Sequence, residues 1–311
     1  MVNLADPVAF REAEGYLVGH AWRNRTFADV GALALAASIL FAGSLSTVTA
    51  QAAPAAAVSA VSAQAAGAES AVIEYVARGD SYAAGQGAGS YENACMQSAL
   101  SYPEMLDDVD RVELVADASC SGATTRDVLT RQLRVVAMNR DADLVTVTVG
   151  ANDLGGAAVV AACSTSFASP ECQAALDSVY ALLTPRASGI PSRFAIRLTT
   201  ALTGVAMVAR DAKILVTGYP YLFETPPPSD PNYAAIVEIN SATALLNATI
   251  QGVVQQLASR GVDIRYVDVT EAFTGHGIGS PDPWIHASGP DAFHPTAAGY
   301  VAYTMAITSA L

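Results

Sequence analysis

The sequence predicts an α/β fold over residues 71–311: a single three-layer α/β/α domain with a central five-stranded parallel sheet. Three observations carry that expectation. Five short runs, at 72–77, 111–116, 144–149, 213–217 and 264–269, are rich in Val, Ile, Tyr or Thr and nearly continuous in apolar character, as strands buried on both faces are. Stretches with helical spacing lie between them. No internal repeat and no Pro/Gly-rich linker divides the segment, and Pro226-Pro227-Pro228 is short enough to be a loop stiffener.

In chain order, the first run (VIEYVA) leads into Gly79, and the second is RVELVA. A helix over 124–139 follows a cap at Thr124 or Thr125 and places Val128, Leu129, Leu133 and Val136 on one face. The third run, LVTVTV, stops at Gly150, and the fourth, KILVT, stops at Gly218. A second helix over 233–260 carries Ile236, Ile239, Leu246, Ile250, Val253 and Leu257 and ends at Gly261. The last run is IRYVDV.

The amino-terminal part reads differently. Residues 30–50 are uncharged and mostly apolar, Arg23 and Arg25 precede them, and Ala50-Gln51-Ala52 follows. A basic flank, an apolar stretch and a small-residue exit predict a secretory signal over 1–52 with a long n-region, cleaved after Ala52. The run is also long enough to span a bilayer once, so a retained signal anchor is the alternative. Residues 53–70 continue an Ala-rich, low-complexity leader, expected to be disordered. Without 1–52 the chain keeps 13 basic and 25 acidic residues, a net charge of −12 against −13 for all 311 residues, and its single lysine is Lys213. So acidic a chain repels phosphate backbones, which argues against a nucleic-acid partner, and it matches anionic membranes poorly.

All four cysteines, Cys95, Cys120, Cys163 and Cys172, follow the signal, and an even count in an exported chain predicts two disulfides. Counting leaves three pairings open; local closure favours Cys95–Cys120 and Cys163–Cys172. No C-x-x-C pair and no Cys/His cluster has zinc spacing, so no metal is expected.

Polar residues stand at three strand ends, where open α/β sheets place their chemistry. Ser81 in Gly79-Asp80-Ser81 is a candidate nucleophile on a strand-to-helix turn, although an isolated Asp-Ser also reads as a helix cap. Gly122 and Asn152 offer an unobstructed N–H and an amide, donors that suit a developing oxyanion; singly, each also reads as a turn residue. Gly85-x-Gly87-x-Gly89 fails the dinucleotide-loop pattern because position 90 is Ser, leaving a substrate-facing or plain glycine loop. A serine nucleophile needs a base, and His294 in Asp291-Ala292-Phe293-His294-Pro295 is the candidate. Asp291 can fold back on Nδ1 and leave Nε2 for the serine, or it caps a helix beginning near Pro295. His276 and His286 are expected to be structural or loop residues.

The order Asp80-Ser81, Gly122, Asn152 in Gly-Ala-Asn-Asp, and Asp291-x-x-His294 resembles the four blocks of the SGNH (GDSL-type) hydrolase superfamily over residues 72–311. Ala118-Ser119-Cys120-Ser121-Gly122-Ala123-Thr124-Thr125, and Phe273-Thr274-Gly275-His276-Gly277 with Trp284-Ile285, are similar to the actinobacterial secreted lipase/esterase branch. The resemblance implies a flavodoxin-like sheet and a secreted ester hydrolase acting on lipid or small-molecule esters. It implies Ser81 as nucleophile, His294 as base, and an oxyanion hole from Ser81, Gly122 and Asn152, with no cofactor. A monomer without stable membrane insertion is expected once the signal is removed. Two disulfide positions of that branch match the favoured pairings; a third pair is missing here. In some members a backbone carbonyl supports the histidine instead of Asp291, and Trp284 lies in the matching neighbourhood. Carbohydrate deacetylase and phospholipase activity, or a non-catalytic binding domain on the same scaffold, are the alternatives.

Overall fold

A computed structural model describes residues 71–163, 166 and 169–311; the expected signal (1–52) and leader (53–70) lie outside the described residues. Five strands form one sheet: β1 (Ile73–Gly79), β2 (Val112–Asp117), β3 (Leu144–Thr148), β4 (Lys213–Thr217) and β5 (Ile264–Val267). Their order is β2-β1-β3-β4-β5 and every pair is parallel. The three-layer α/β/α expectation therefore holds. β1 runs two residues past its predicted end because Arg78 and Gly79 stay in register with Val147 and Thr148 of β3.

Nine α-helices surround the sheet: α1 (Ser81–Ala84), α2 (Tyr102–Asp107), α3 (Thr125–Asp127), α4 (Leu133–Met138), α5 (Gly156–Cys163), α6 (Pro170–Leu183), α7 (Arg193–Val208), α8 (Tyr233–Ala258) and α9 (Ala297–Thr308) among the described residues. On one face α9 packs on α2. On the other α4, α7, α8 and α6 pack against one another. α6 and α7, unread in the sequence, begin at serine caps: Ser169 Oγ accepts from Cys172 N at 3.1 Å, and Ser192 Oγ from Ala195 N at 3.1 Å. α7 buries Phe194, Leu198, Leu202 and Val205 on one stripe. Each such side chain contributes about 1.5–3 kcal/mol relative to exposure.

The helix expected over 124–139 is interrupted, since Val128–Gln132 forms a π-helical turn between α3 and α4. Two partners explain it. Arg78, fully buried in β1, donates a guanidinium N–H to the Val128 carbonyl. Gln132 turns inward, its amide donating to Gly79 O at 2.8 Å and accepting from Gly79 N at 3.0 Å. Arg78 Nε and Nη1 have no partner, and burial pulls its pKa down to about 9.

Hydroxyls cross-link the strands beneath their carboxyl ends. Tyr75 Oη pairs with Thr146 Oγ1 at 2.6 Å, Tyr102 Oη with Thr148 Oγ1 at 2.9 Å, and Thr148 Oγ1 with Thr217 Oγ1 at 2.6 Å. Left unpaired, each buried hydroxyl would cost about 1–3 kcal/mol. The cysteines pair as Cys95–Cys120 and Cys163–Cys172, the two local closures. The chain leaves β1 for β2 on one side and returns for β3 on the other, so the strand order reverses at β1/β3 and opens a crevice there.

Candidate active site

The turn that carries Ser81 is forced by its neighbours. Gly79 has φ +139°, and a Cβ there would lie 2.2 Å from Thr148 O, so only glycine lets β1 end this close to β3. Asp80 then caps α1: its Oδ1 accepts from Tyr82 N at 3.0 Å, and its Oδ2 from Tyr219 Oη at 2.5 Å. Burial pushes the Asp80 carboxyl up to about 7, against those two hydrogen bonds. Ser81 is thus the first residue of a helix, where backbone N–H groups have no partner within the helix. Its side chain lines a cleft of about 540 Å³.

Gly122 and Asn152 reach the same cleft from the ends of β2 and β3. Gly122 has φ +81° and faces open space, on a turn held by Cys120 N donating to Gly79 O at 3.1 Å and Ser121 N to Cys95 O at 2.9 Å. Asn152 opens a 3₁₀ turn just past Gly150, where a Cβ would meet the Phe194 ring at 2.7 Å. One N–H of the Asn152 amide donates to Ala123 O at 3.0 Å, which aims the other. Asp153 accepts from Thr125 N at 2.8 Å and Thr125 Oγ1 at 2.6 Å, tying the two loops together. Ala151 N donates to Tyr219 Oη at 3.3 Å, so one hydroxyl joins the serine turn to the asparagine turn.

His294 comes from the far end of the chain. Its Nε2 lies 2.8 Å from Ser81 Oγ. Its Nδ1 lies 3.0 Å from the backbone carbonyl of Ala292. With Nδ1–H donating to that carbonyl, Nε2 carries the lone pair that can accept the serine proton. This corrects the Asp291 reading and agrees with the backbone-carbonyl alternative, although the carbonyl is that of Ala292 and not of Trp284. The Asp291 carboxylate does not hold Nδ1; its Oδ1 is buried with no hydrogen-bond partner. Nor does Trp284, whose carbonyl accepts from Thr296 N at 2.8 Å. The reason is the turn: His294 N donates to Asp291 O at 3.1 Å, which brings the intervening Ala292 carbonyl under the ring. Asp291 does not cap a helix either, since α9 starts at Ala297 with Thr296 as its cap. Asp291 acts on His294 through its charge, which together with the two backbone carbonyls raises the imidazole pKa. Desolvation outweighs them and lowers it below the ordinary value.

Among the described residues, the other two histidines make their hydrogen bonds away from Ser81. The His276 ring stacks on Trp284 with centroids 3.4 Å apart, and its Nδ1 lies 2.8 Å from Asp282 O. His286 Nε2 donates to Gly87 O at 2.8 Å. The glycine loop lies against this segment, where a Cβ on Gly87 would meet Pro295 O at 2.2 Å, and its Gln86 lines the cleft. Sequence reasoning missed Tyr82, Tyr219, Gln132 and Thr125; only the Tyr after Asp-Ser and the Gly218-Tyr219 strand end gave any local signal.

Beyond Ser81 the cleft is apolar, walled by Leu154, Val159, Leu176, Val179, Ile239 and Leu246 from α5, α6, α8 and the 3₁₀ turn. The Cys163–Cys172 bridge packs with Leu176 and Ile239 along it.

The profile of the GDSL-like lipase/acylhydrolase family matches residues 77–302. The chain belongs to that family. As a GDSL-type enzyme it is a carboxylic ester hydrolase. It is 31% identical over 234 residues to a lipase of Streptomyces rimosus, covering 73% of this chain and 82% of that one. It is 31% identical over 236 residues to lipase 1 of Streptomyces coelicolor, covering 72% and 81%. The crystal structure of the extracellular lipase from Streptomyces rimosus superposes with a TM-score of 0.68 at 29% identity, over 77% of this chain and 100% of that chain. Phospholipase A1 from Streptomyces albidoflavus does so with a TM-score of 0.67 at 31% identity, over 77% and 99%.

Proposed function

We propose that this GDSL-type hydrolase is a secreted lipase/carboxylesterase that cleaves neutral acyl esters through a Ser81–His294 acyl-enzyme mechanism. The observation that carries the reading is the 2.8 Å contact between Ser81 Oγ and His294 Nε2, both of which line the apolar cleft. Ser81 Oγ attacks the ester carbonyl as its proton passes to Nε2. The backbone N–H groups of Ser81 and Gly122 and the Asn152 amide take the oxyanion, each such donor contributing about 2.7–4 kcal/mol to the transition state. The carbonyl–oxygen bond to the alcohol breaks, and His294 returns the proton to the leaving oxygen. Water, activated by the same Nε2, then releases the acid and restores Ser81. No step in this scheme calls on a cofactor.

Two features support neutral esters. The apolar wall fits an acyl chain, and the described residues lining the cleft include no Lys or Arg to hold a phosphate headgroup. A phospholipase is the second reading, favoured by the likeness to phospholipase A1. Secretion rests on the signal over 1–52, with the Ala-rich leader at 53–70 and the hydrolase domain at 71–311. No helix of the described residues is long and apolar enough to cross a membrane. We take the working enzyme to be a monomer.

A p-nitrophenyl ester series on the full chain and its Ser81→Ala form tests the chemistry: activity only in the former supports the reading, and equal rates contradict it. A phosphatidylcholine assay beside triglyceride separates the second reading. N-terminal sequencing of protein from culture medium finds a start near Ala53 if the signal is cleaved.

A further inference from the structure

We propose that Tyr82 and His286 are the positioning residues of His294, clamping the histidine loop onto the segment that follows the nucleophile. The proposal rests on Ser81 and His294 being the reacting pair and goes on to say what keeps them in register.

Phe293, the residue before His294, has φ +66°. A bulky side chain adopts that left-handed conformation only where its surroundings impose it. Here the peptide planes on both sides of Phe293 are held. The plane after it carries the Phe293 carbonyl and the His294 N–H. Tyr82 Oη donates to that carbonyl at 2.5 Å, and the N–H donates to Asp291 O at 3.1 Å. The plane before it carries the Phe293 N–H and the Ala292 carbonyl, the acceptor for His294 Nδ1. Phe293 N donates to His286 O at 2.7 Å.

His286 is anchored in turn. Its ring Nε2 donates to Gly87 O at 2.8 Å, and its backbone N donates to His294 O at 3.0 Å. Gly87 and Tyr82 both belong to the short stretch that begins at Ser81, so the clamp closes a ring. From Ser81 it runs through Tyr82 to the Phe293–His294 peptide, and through Gly87 and His286 to the Ala292 carbonyl. The Tyr82 ring also backs the imidazole, with centroids 5.5 Å apart. Neither residue touches a reacting atom; both set where Nε2 points. Because a small misplacement of a catalytic group costs up to about 10²-fold in rate, one lost tie is measurable.

The test uses the full chain with p-nitrophenyl butyrate and four variants. Tyr82→Phe removes only the donor and lowers kcat about tenfold or more, with KM changed less than about twofold. His286→Ala, at a half-buried position that tolerates truncation, lowers kcat about fivefold with the same KM signature. Tyr303→Phe is the control: Tyr303 is buried, and its hydroxyl donates to a backbone carbonyl outside the histidine loop, Gly218 O at 2.9 Å, while the ring that packs edge-on against Tyr82 is kept. It loses melting temperature but keeps kcat. The downfield proton resonance of His294 Nδ1–H, sharp in the wild type, broadens in the first two variants and not in the control. Unchanged kcat in both clamp variants, or a fall no larger than in Tyr303→Phe, overturns the proposal. Wild-type rates in Ser81→Ala would instead overturn the serine mechanism itself.

Discussion

The two halves of the proposed catalytic centre are built in different ways. Ser81, Gly122 and Asn152 stand at or just past the ends of β1, β2 and β3, and their turns are bonded to the sheet and to one another through Gly79, Asp80, Thr125 and Tyr219. His294 stands between Phe273 and Ala297, a segment whose only sheet-like features are isolated bridges such as Ile285↔Pro295. The sheet positions the proposed nucleophile and oxyanion donors, whereas the proposed base is tied by single hydrogen bonds from loops. One half therefore breaks by losing chemistry, the other by losing alignment.

The largest effects should come from the two reacting groups. Ser81→Ala and His294→Ala each lower kcat by about 10⁶-fold, and the double variant is barely worse, because the two act as one unit. Stopped assays with an acetate or butyrate ester measure this. Additive losses would separate the halves that the 2.8 Å contact joins. Within the strand-end half, Asn152→Ala lowers kcat by about 10²–10³-fold with little change in KM, since the amide meets charge only in the transition state.

Ionisation sharpens the contrast. Asp80, on the sheet side, has a folded-state carboxyl raised from 3.8 to about 7 by burial. The folded state holds that proton more tightly than the unfolded one. Its contribution is fully present below the unfolded value, fades as pH rises and is lost above about 7. The loss is on the order of 4 kcal/mol at about 1.4 kcal/mol per pKa unit. In urea titrations between pH 4 and 8 the wild type should lose stability relative to Asp80→Asn, which carries no titrating group at this position, as pH rises. Curves that stay parallel would contradict it. His294, on the loop side, shifts downward through desolvation. As a base it must be neutral, so the acidic limb of kcat/KM falls below the ordinary imidazole value of about 6.5. Its neutral burial also makes stability fall as pH drops through that same value.

The same division decides how much was legible in the sequence. The strand-end half was read almost whole. Runs such as LVTVTV have few alternatives to a buried strand, and Gly79 and Gly150 mark where each turn must leave the sheet. Helices α6 and α7 were not read, although Ser169-Pro170-Glu171 and Ser192 are helix starts, because no run of apolar residues frames them as the strands are framed. His294 stood out in the sequence and a backbone carbonyl was one of its two expected supports, but the residue that supplies the carbonyl was not legible. Asp291 and Ala292 differ by one residue, and which of them meets Nδ1 depends on the left-handed turn at Phe293, for which a phenylalanine gives no warning. Tyr219 and Tyr82 were missed for a related reason: their hydroxyls act on residues 139 and 211 positions away, so no local pattern encodes them.

The central claim is that a backbone carbonyl, and no carboxylate, orients the base. The most direct measurement is kcat for Asp291→Asn against wild type on a butyrate ester across the pH range. The Asp291→Asn change keeps the backbone carbonyl and removes only the side-chain charge, so kcat should stay within a few-fold and the acidic limb should move to lower pH, because that charge raises the imidazole pKa. A loss approaching the roughly 10⁴-fold seen when an orienting carboxylate is removed would contradict the account.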